Sequence, residues 1–479
     1  MQNMLQHEDI SKINEIKTFF KDSWLQPGVL SKQINLIKFK QSLSVFKSIK
    51  SSGIGFYDIF RVLIFMPMLN SKSVHDVVSS SKDDLAKKDT YYRALSNQKI
   101  NWRVLLYLVS KQYLNLTKTE PSNQKKCLIF DDTEIEKTGK SIEGISKIHS
   151  HVSGRFFFGY KLLVAGYWDG SVFIPLDFSF HRENKNNKIM KYGLNKKQRK
   201  NQRSVNRDKS QHARTRFNEL NKKKTDVLVE MFKRINKRRI KVDYILVDSW
   251  FTSLSLLKRL MSVNSSVDII GMYKYNSKVI VNGKPLKINQ LKKGSQKLKR
   301  ARSLGMYYKF FDVEIEQVSI RVFLIRRGVN GAWHTIISTN RKLVFTKMID
   351  IYSTRWSIEV FFKETKQLLN LGKNQSTNFD VQIAQTTITM IQYQLLSLKY
   401  RMEAYQTIGG MFRDVKQDII EHKLNERIIA VISEILIVLD FIIDGLDLEE
   451  TLSKLIHHSD KFTFLMKIEK NKQSYKLVA

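Results

Sequence analysis

Acidic residues stand at positions where a buried strand or a helix would present them to a substrate. Asp131 and Asp132 follow the apolar run CLIF, and Asp248 follows the apolar run YILV. Glu359 lies in a helical pattern. Carboxylates that are buried together repel each other unless a cation lies between them. Mg²⁺ is the natural cation for oxygen ligands, so the sequence predicts a magnesium-binding acidic site.

Either aspartate of the pair at 131–132 could belong to this site. Successive side chains of a strand point to opposite faces, so only one of Asp131 and Asp132 is expected to face it. The alternative interpretation is structural, because an Asp that precedes a helix often accepts hydrogen bonds from backbone N–H groups. The occurrence of Asp132 and Asp248 after two neighbouring core strands of a basic protein favours the chemical interpretation.

The helical pattern YSTRWSIEVFFKETKQ places several functional groups on one face. If the helix is continuous, four residues fall within an arc of about 60°. They are Tyr352, Arg355, Glu359 and Lys366. This set suits a DNA phosphate beside a metal ion, with Glu359 on the ion and Arg355 and Lys366 on the backbone. The alternative is an ordinary surface salt bridge between Glu359 and Lys363. The opposite face is expected to pack on the sheet and carries Trp356, Val360 and Leu368.

The charge of the chain indicates a polyanionic partner. Lys and Arg number 82 against 45 Asp and Glu, which gives a net charge of +37 at pH 7. Nucleic acid fits this charge better than an acidic membrane, since the N-terminus lacks a signal-peptide pattern and the apolar run 427–450 is interrupted by acids. The single cysteine, Cys127, excludes an internal disulfide framework and a multi-cysteine zinc site. We therefore expect a cytoplasmic protein that binds DNA and no membrane.

Residues 185–239 form the most basic segment. Basic residues outnumber acidic ones severalfold there, which suits phosphate neutralisation independent of DNA sequence. The alternative is a solvated, partly disordered connector.

The order of apolar patterns predicts a mixed α/β fold, a sheet flanked by helices. Residues 1–120 are helical, compatible with a helix-turn-helix-like DNA reader or with a helical packing domain. A strand at CLIF, a hairpin turning at Asp169-Gly170, a helix and the strand YILV follow. The β-rich stretch before Glu359 predicts an inserted subdomain with a turn at Asn282-Gly283.

The spacing Tyr-x2-Arg-x3-Glu-x6-Lys resembles the motif of the DDE transposases of the insertion-sequence-four type. DDT at 131–133 resembles the first catalytic block of that family, and VDSWF at 247–251 resembles the second. The β-rich gap before Glu359 resembles its insertion domain. The resemblance covers about residues 125–400.

This resemblance implies an RNase H-like core in which Asp132, Asp248 and Glu359 form the acidic triad. It selects Asp132 over Asp131 because the catalytic aspartate of the family directly precedes the threonine, here Thr133. It also implies two divalent ions, Mg²⁺ with Mn²⁺ as a substitute. The ions would activate the attacking group and stabilise the leaving oxygen.

The same resemblance implies the partners and the remaining site residues. Tyr352, Arg355 and Lys366 are expected to hold the DNA backbone at a transposon end, and Trp333 to stack on a flipped base. A tryptophan of the core is the alternative for Trp333. Double-stranded DNA, as transposon ends and as target, and a second copy of the chain in a homodimer are the expected partners.

The implied function is Mg²⁺-dependent cut-and-paste transposition of a bacterial-type insertion sequence at its terminal inverted repeats. The alternatives are an RNase H-like nuclease or resolvase, and a decayed transposase that only binds DNA.

The expected regions are 1–120, helical and binding the DNA end; 121–265, the first part of the catalytic core; 266–345, the β-rich insertion; 346–400, the last part of the core; and 401–479, helical, with a possible dimerisation helix around 427–443.

Overall fold

The computed structural model describes most of the chain between residues 28 and 417. The described ranges are 28–49, 52–68, 73–79, 86–118, 124–150, 153–183, 191–209, 211–281, 284–294, 296–315, 317–402 and 406–417. The proposed dimerisation helix around 427–443 lies outside them.

The N-terminal part is helical throughout its described residues, as the apolar periodicity predicts. Its helices are α1 (Gly28–Leu36), α2 (Phe39–Ser44), α3 (Phe56–Phe65), α4 (Val74–Ser79), α5 (Lys88–Leu95) and α6 (Trp102–Leu116). They pack around the long helix α13 (Phe379–Met402), most of whose side chains are buried. The amide of Gln392 in α13 donates to the backbone carbonyls of Leu63 and Ile64, at 3.1 and 2.8 Å, which joins α3 to the core.

A five-stranded sheet forms the centre of the molecule. Its strands are β1 (Cys127–Lys137), β3 (Phe156–Trp168), β4 (Phe173–His181), β5 (Tyr244–Val247) and β6 (Asp268–Tyr273). They lie in the order β4-β3-β1-β5-β6, antiparallel from β4 to β1 and parallel from β1 to β6. This is the RNase H-like arrangement, and it confirms the predicted mixed α/β fold class.

A hairpin joins β3 to β4 at the predicted position. The Asp169 carboxylate accepts bonds from the backbone N–H groups of Ser171 and Val172, each at 2.9 Å. Gly170 has φ of 105°, a conformation that favours glycine. A short strand, β2 (Ser146–His149), pairs with the beginning of β3.

The β-rich segment before Glu359 extends the same sheet. Its strands are β7 (Lys278–Val281), β8 (Lys284–Lys287), β9 (Lys299–Ala301), β10 (Met306–Ile315), β11 (Val318–Arg327) and β12 (His334–Ser338). Strand β12 pairs with β6, and β11 and β10 follow outward. Strand β6, inside the predicted insertion 266–345, is therefore a strand of the central sheet.

The described part of the basic segment 185–239 is folded. It contains three helices, α7 (Lys196–Lys200), α8 (His212–Glu219) and α9 (Lys224–Lys237). The guanidinium of Arg207 is buried and paired with Glu143 at 2.6 Å and Asp380 at 2.9 Å. The alternative of a solvated connector is therefore wrong for these residues, because a buried ion pair with two partners anchors the segment.

Three further helices precede α13, and residues 408–417 after it are also helical. The three helices are α10 (Leu254–Val263), α11 (Phe345–Ser353) and α12 (Trp356–Leu368). Helix α12 packs on β1 and on α13. None of the helices in the described ranges is long and apolar enough to cross a membrane.

Candidate active site

Two aspartates occupy equivalent positions at the centre of the sheet. The parallel pairing of β1 and β5 ends with Phe130 opposite Val247, and the next residues are Asp131 and Asp248. Strand β1 runs on to Lys137, so its acids lie inside the strand, whereas the sequence predicted them at its end. The two acids therefore lie side by side where β5 ends.

Burial is the main cause that disfavours the charged forms of these two acids, and neighbouring aspartates add to it: Asp248 and Asp132 for Asp131, and Asp132 for Asp248. Burial, followed by the charge of Asp248, raises the pKa of Asp131 to about 7. Burial also raises the pKa of Asp248, although the N–H groups of Phe251 and Trp250 donate to its carboxylate. Asp248 thus also fills the structural role that we considered as the alternative, within the turn after β5.

Glu359 is linked to this pair through Arg355. The Arg355 guanidinium lies 3.2 Å from Asp131 Oδ2 and 2.5 Å from Glu359 Oε1. The exposed fractions of the three side chains are 15% for Asp131, 17% for Arg355 and 33% for Glu359. The structure therefore brings Asp131, Asp248, Arg355 and Glu359 together, with an opening to solvent beside Glu359.

Asp132 faces the other side of β1. Its carboxylate pairs with the ammonium group of Lys224 at 3.0 Å. Side chains alternate along a strand, so Asp131 and Thr133 share the face of α12 and Asp132 does not. The resemblance selected Asp132, but the residue that meets the Arg355–Glu359 pair is Asp131.

The helix that carries Glu359 is broken before it. Helix α11 ends at Ser353 and α12 begins at Trp356. In the turn between them, the Arg355 N–H donates to the carbonyl three residues earlier, that of Tyr352, at 3.1 Å. The prediction of one continuous helix is wrong. The predicted inner face is wrong for Trp356 and Val360, which are 62% and 38% exposed, whereas Leu368 packs against the core. The side chains that face inward are Ile358, Phe361, Phe362 and Thr365.

Tyr352 is bound to the sheet through its hydroxyl. The hydroxyl donates to the carbonyl of Val247 at 3.1 Å and accepts from the N–H of Met272 at 3.3 Å. Burial raises the pKa of Tyr352 to about 12, so the phenol stays protonated. Tyr352 therefore holds the end of β5, next to Asp248, whereas the sequence predicted a contact with DNA.

Lys366 contacts β1 on the same side as Arg355, two residues beyond Asp131. Its ammonium group donates to Thr133 Oγ1 at 2.7 Å, and burial lowers the pKa of Lys366. Lys366 also lines a cleft of about 440 Å³ together with Arg155 and Lys373. The same cleft is also lined by the acidic residues Glu134 and Glu136, and Arg155 pairs with Glu136 at 2.8 Å.

Trp333 lies outside the acidic cluster, in the segment before β12. The ring is half-buried, between Lys292 at 5.3 Å and Arg326 at 4.9 Å from its centroid. Arg326 is also the cross-strand partner of Tyr307, over whose ring it lies. Trp333 also packs against the hydrophobic core, so its ring has both apolar and cationic neighbours.

Two family models match the chain. One, described as DDE superfamily endonuclease, matches residues 65–302, and another, described as transposase DDE domain, matches residues 219–395. The first range contains Asp131 and Asp248, and the second contains Asp248 and Glu359. Over these residues the chain is similar to DDE superfamily endonuclease and transposase domains. Their descriptions support transposase activity in general and imply a nuclease-type enzyme.

One similar solved structure is titled "Cryo-EM structure of piggyBac transposase synaptic complex with hairpin DNA (SNHP)". Its sequence is 13% identical, the TM-score is 0.40, and the match covers 80% of this chain and 77% of that chain. No curated protein matches the chain. The insertion-sequence-four branch, with its Tyr-Arg-Glu-Lys motif, stays a prediction.

The acidic residues of the DDE domains suit a divalent metal ion, which enzymes of this superfamily generally use. Within the described ranges, no three His, Cys, Asp or Glu side chains converge into a ready-made metal cage. Burial and the charge of Asp248 raise the pKa of Asp131, although the charge of Arg355 lowers it. Arg355 thus supplies positive charge between Asp131 and Glu359.

The sequence did not single out Lys224 or Trp250. Lys224 lies in a basic run that gives no sign of which lysine meets Asp132. Trp250 stands beside the buried Phe251, and the pattern SWF does not show which ring faces solvent. For Asp131 the signal was present, because Asp131 and Thr133 must share one face of the strand.

Proposed function

We propose that this protein is a transposase that cleaves DNA and joins strands at an acidic site made by Asp131, Asp248 and Glu359. The observation that carries the proposal is the register of β1 and β5, which makes Asp131 and Asp248 neighbours on the side of the Arg355–Glu359 pair. The DDE superfamily domains across residues 65–395 support the same reaction class.

Asp131, Asp248 and Glu359 would hold divalent metal ions, with Mg²⁺ as the expected species and Mn²⁺ as a substitute. When bound, such ions activate the attacking oxygen and stabilise the leaving oxygen of a phosphodiester. The raised pKa of Asp131 supports this assignment, because a divalent cation would relieve its repulsion from Asp248. In the metal-bound site Arg355 is then available to pair with a DNA phosphate.

The residues around the acids position the substrate and the site. Tyr352 fixes the backbone at the end of β5, so that Asp248 keeps its place. Lys366, at the edge of the cleft of about 440 Å³, binds a backbone phosphate. Trp333, between Lys292 and Arg326, stacks on a base of the DNA end.

The substrate is the double-stranded DNA at the terminal inverted repeats of a bacterial-type insertion sequence, and the reaction is cut-and-paste transposition. The net charge of +37 supports a DNA partner. Pairing of two ends requires a homodimer at least in the working complex. A cytoplasmic location follows from a nucleoid substrate.

The direct test of the reaction is Glu359→Gln in the full-length protein. On DNA that carries the sequences flanking the coding region, this variant should bind as the wild type does and neither cleave nor join strands in Mg²⁺. Asp350→Asn removes an exposed acid of the preceding helix and is the matched control, expected to keep full cleavage. Full cleavage by Glu359→Gln would overturn the proposal, and cleavage without joining by the wild type would indicate a nuclease.

A further inference from the structure

Trp250 is the most exposed large apolar side chain of the described residues. Its exposed fraction is 68%, while that of its neighbour Phe251 is 2%. The two consecutive aromatic residues thus separate, with Phe251 in the core and Trp250 on the surface. An indole ring that stays in water forgoes the burial free energy of a large apolar surface, about 2 kcal/mol or more.

The backbone of Trp250 is hydrogen-bonded to Asp248 of the acidic site. The N–H of Trp250 donates to Asp248 Oδ1 at 2.9 Å, within the turn that follows β5. The neighbouring Thr252 fixes the same turn, since its hydroxyl donates to the carbonyl of Asp248 at 2.6 Å. Gly271 of β6 makes room for this turn, because a Cβ there would lie 2.5 Å from Thr252 Oγ1. Trp250 therefore has a defined place beside Asp248.

Two lysines flank the ring from different parts of the chain. The ammonium groups of Lys224, at the beginning of α9, and Lys274, just after β6, each lie 5.8 Å from the ring centroid. Lys224 also pairs with Asp132 at 3.0 Å, so Trp250 has both Asp248 and this ion pair as neighbours. An exposed aromatic ring with cations close to it is the combination by which proteins bind single-stranded nucleic acid. The base stacks on the ring and the ammonium groups meet the adjacent phosphates.

We propose that Trp250, Lys224 and Lys274 form a stacking site for an unpaired nucleobase of the DNA strand that enters the acidic site. The inference rests on the proposed function only in taking DNA as the substrate. It concerns a different ring from Trp333 and a different part of the strand, immediately beside Asp248. The site needs an unpaired base, because a base within a duplex presents no free face to a ring.

The test compares two fluorescently labelled probes, a blunt DNA duplex and the same duplex with a short single-stranded thymidine overhang. Affinities are measured by anisotropy with the full-length protein in EDTA, where no cleavage occurs. The wild type should prefer the overhang probe. Trp250→Ala should reduce that preference by about 5- to 150-fold, the range expected for one stacked base, and Trp250→Phe should retain most of it.

Phe156→Ala is the matched control. Phe156 is 51% exposed and also has a lysine beside its ring, with Lys147 Nζ 5.1 Å from the centroid. Unlike Trp250, it is the first residue of β3 and is not part of the turn after β5. Its replacement should leave the preference unchanged. Lys274→Ala should weaken binding of the overhang probe and make its salt dependence shallower.

The absence of a preference in the wild type would overturn the inference, as would an unchanged preference in Trp250→Ala. So would a Trp250→Ala variant that keeps the preference but sediments as a smaller species, since the ring would then contact a second copy of the chain. Failure of the proposed reaction is visible separately, in the cleavage assay of Glu359→Gln, which does not depend on the overhang.

Discussion

The guanidinium of Arg355 lies 3.2 Å from the carboxylate of Asp131, a residue 224 positions earlier in the chain. The same guanidinium binds Glu359, so one cation joins acids from a central strand and from a helix. Arg355 therefore holds two carboxylates from distant parts of the chain close together.

Divalent-ion binding should depend on pH near neutrality. The pKa of Asp131 is raised to about 7, and a metal ion binds the carboxylate only in its charged form. Affinity for Mg²⁺ should therefore be constant above pH 7 and fall by up to about tenfold for each pH unit below it. Isothermal titration calorimetry across this range measures the effect.

Arg355→Ala should move the midpoint of that pH profile upward. The positive charge of Arg355 lowers the pKa of Asp131, so its loss makes the carboxylate harder to ionise. A Mg²⁺ affinity that does not change with pH in the wild type would show that Asp131 does not ligate the ion.

Tyr352→Phe separates a positioning role from a DNA contact. The change removes the hydroxyl bonds to Val247 and Met272 and should lower the free energy of unfolding by about 1–2 kcal/mol. Cleavage should slow by about tenfold to a hundredfold because Asp248 is less well held, while DNA affinity stays unchanged. Urea unfolding, cleavage rates and binding in EDTA measure these three quantities.

Tyr92→Phe, which removes a hydroxyl from a ring that is 45% exposed, should leave all three unchanged. Weaker DNA binding by Tyr352→Phe at unchanged stability would restore the contact that the sequence predicted.

The sequence predicted the sheet and its acids but could not assign every side chain to a face. Alternation shows that the side chains of Asp131 and Asp132 point to opposite faces of the strand. Which of them faces the acidic site depends on which face of the sheet α12 covers, and that is set by tertiary packing. The side chains of α12 that face the core were predicted wrongly for a related reason. A turn at Thr354–Arg355 shifts the helix, and no proline or glycine in the sequence marks it. Arg355 and Glu359 stay together because Arg355, the last residue of the turn, directly precedes α12, whereas Tyr352 lies before the turn.

The basic segment shows a similar limit of charge patterns. Composition treats every Lys and Arg of residues 185–239 as equivalent, but Arg207 is buried between Glu143 and Asp380. Only the packing of the segment on α13 distinguishes this residue from exposed neighbours.

Arg207→Ala should therefore destabilise the fold. It leaves the Glu143 and Asp380 carboxylates buried without their cation, which should lower the free energy of unfolding by about 3–5 kcal/mol. Arg203→Ala, which removes an exposed guanidinium of the same segment, should change it by less than about 1 kcal/mol. Urea denaturation of both variants makes the comparison. Equal small effects would mean that the segment is not anchored through Arg207.

The most direct measurement of the central claim is the cleavage rate of Asp131→Asn beside that of Asp132→Asn, in Mg²⁺, on DNA carrying the sequences that flank the coding region. Each change removes one carboxylate charge from adjacent positions of the same strand. Asp131→Asn should abolish cleavage while DNA binding persists, and Asp132→Asn should retain most of the activity because its partner is Lys224. Loss of cleavage in Asp132→Asn with activity retained in Asp131→Asn would contradict the account.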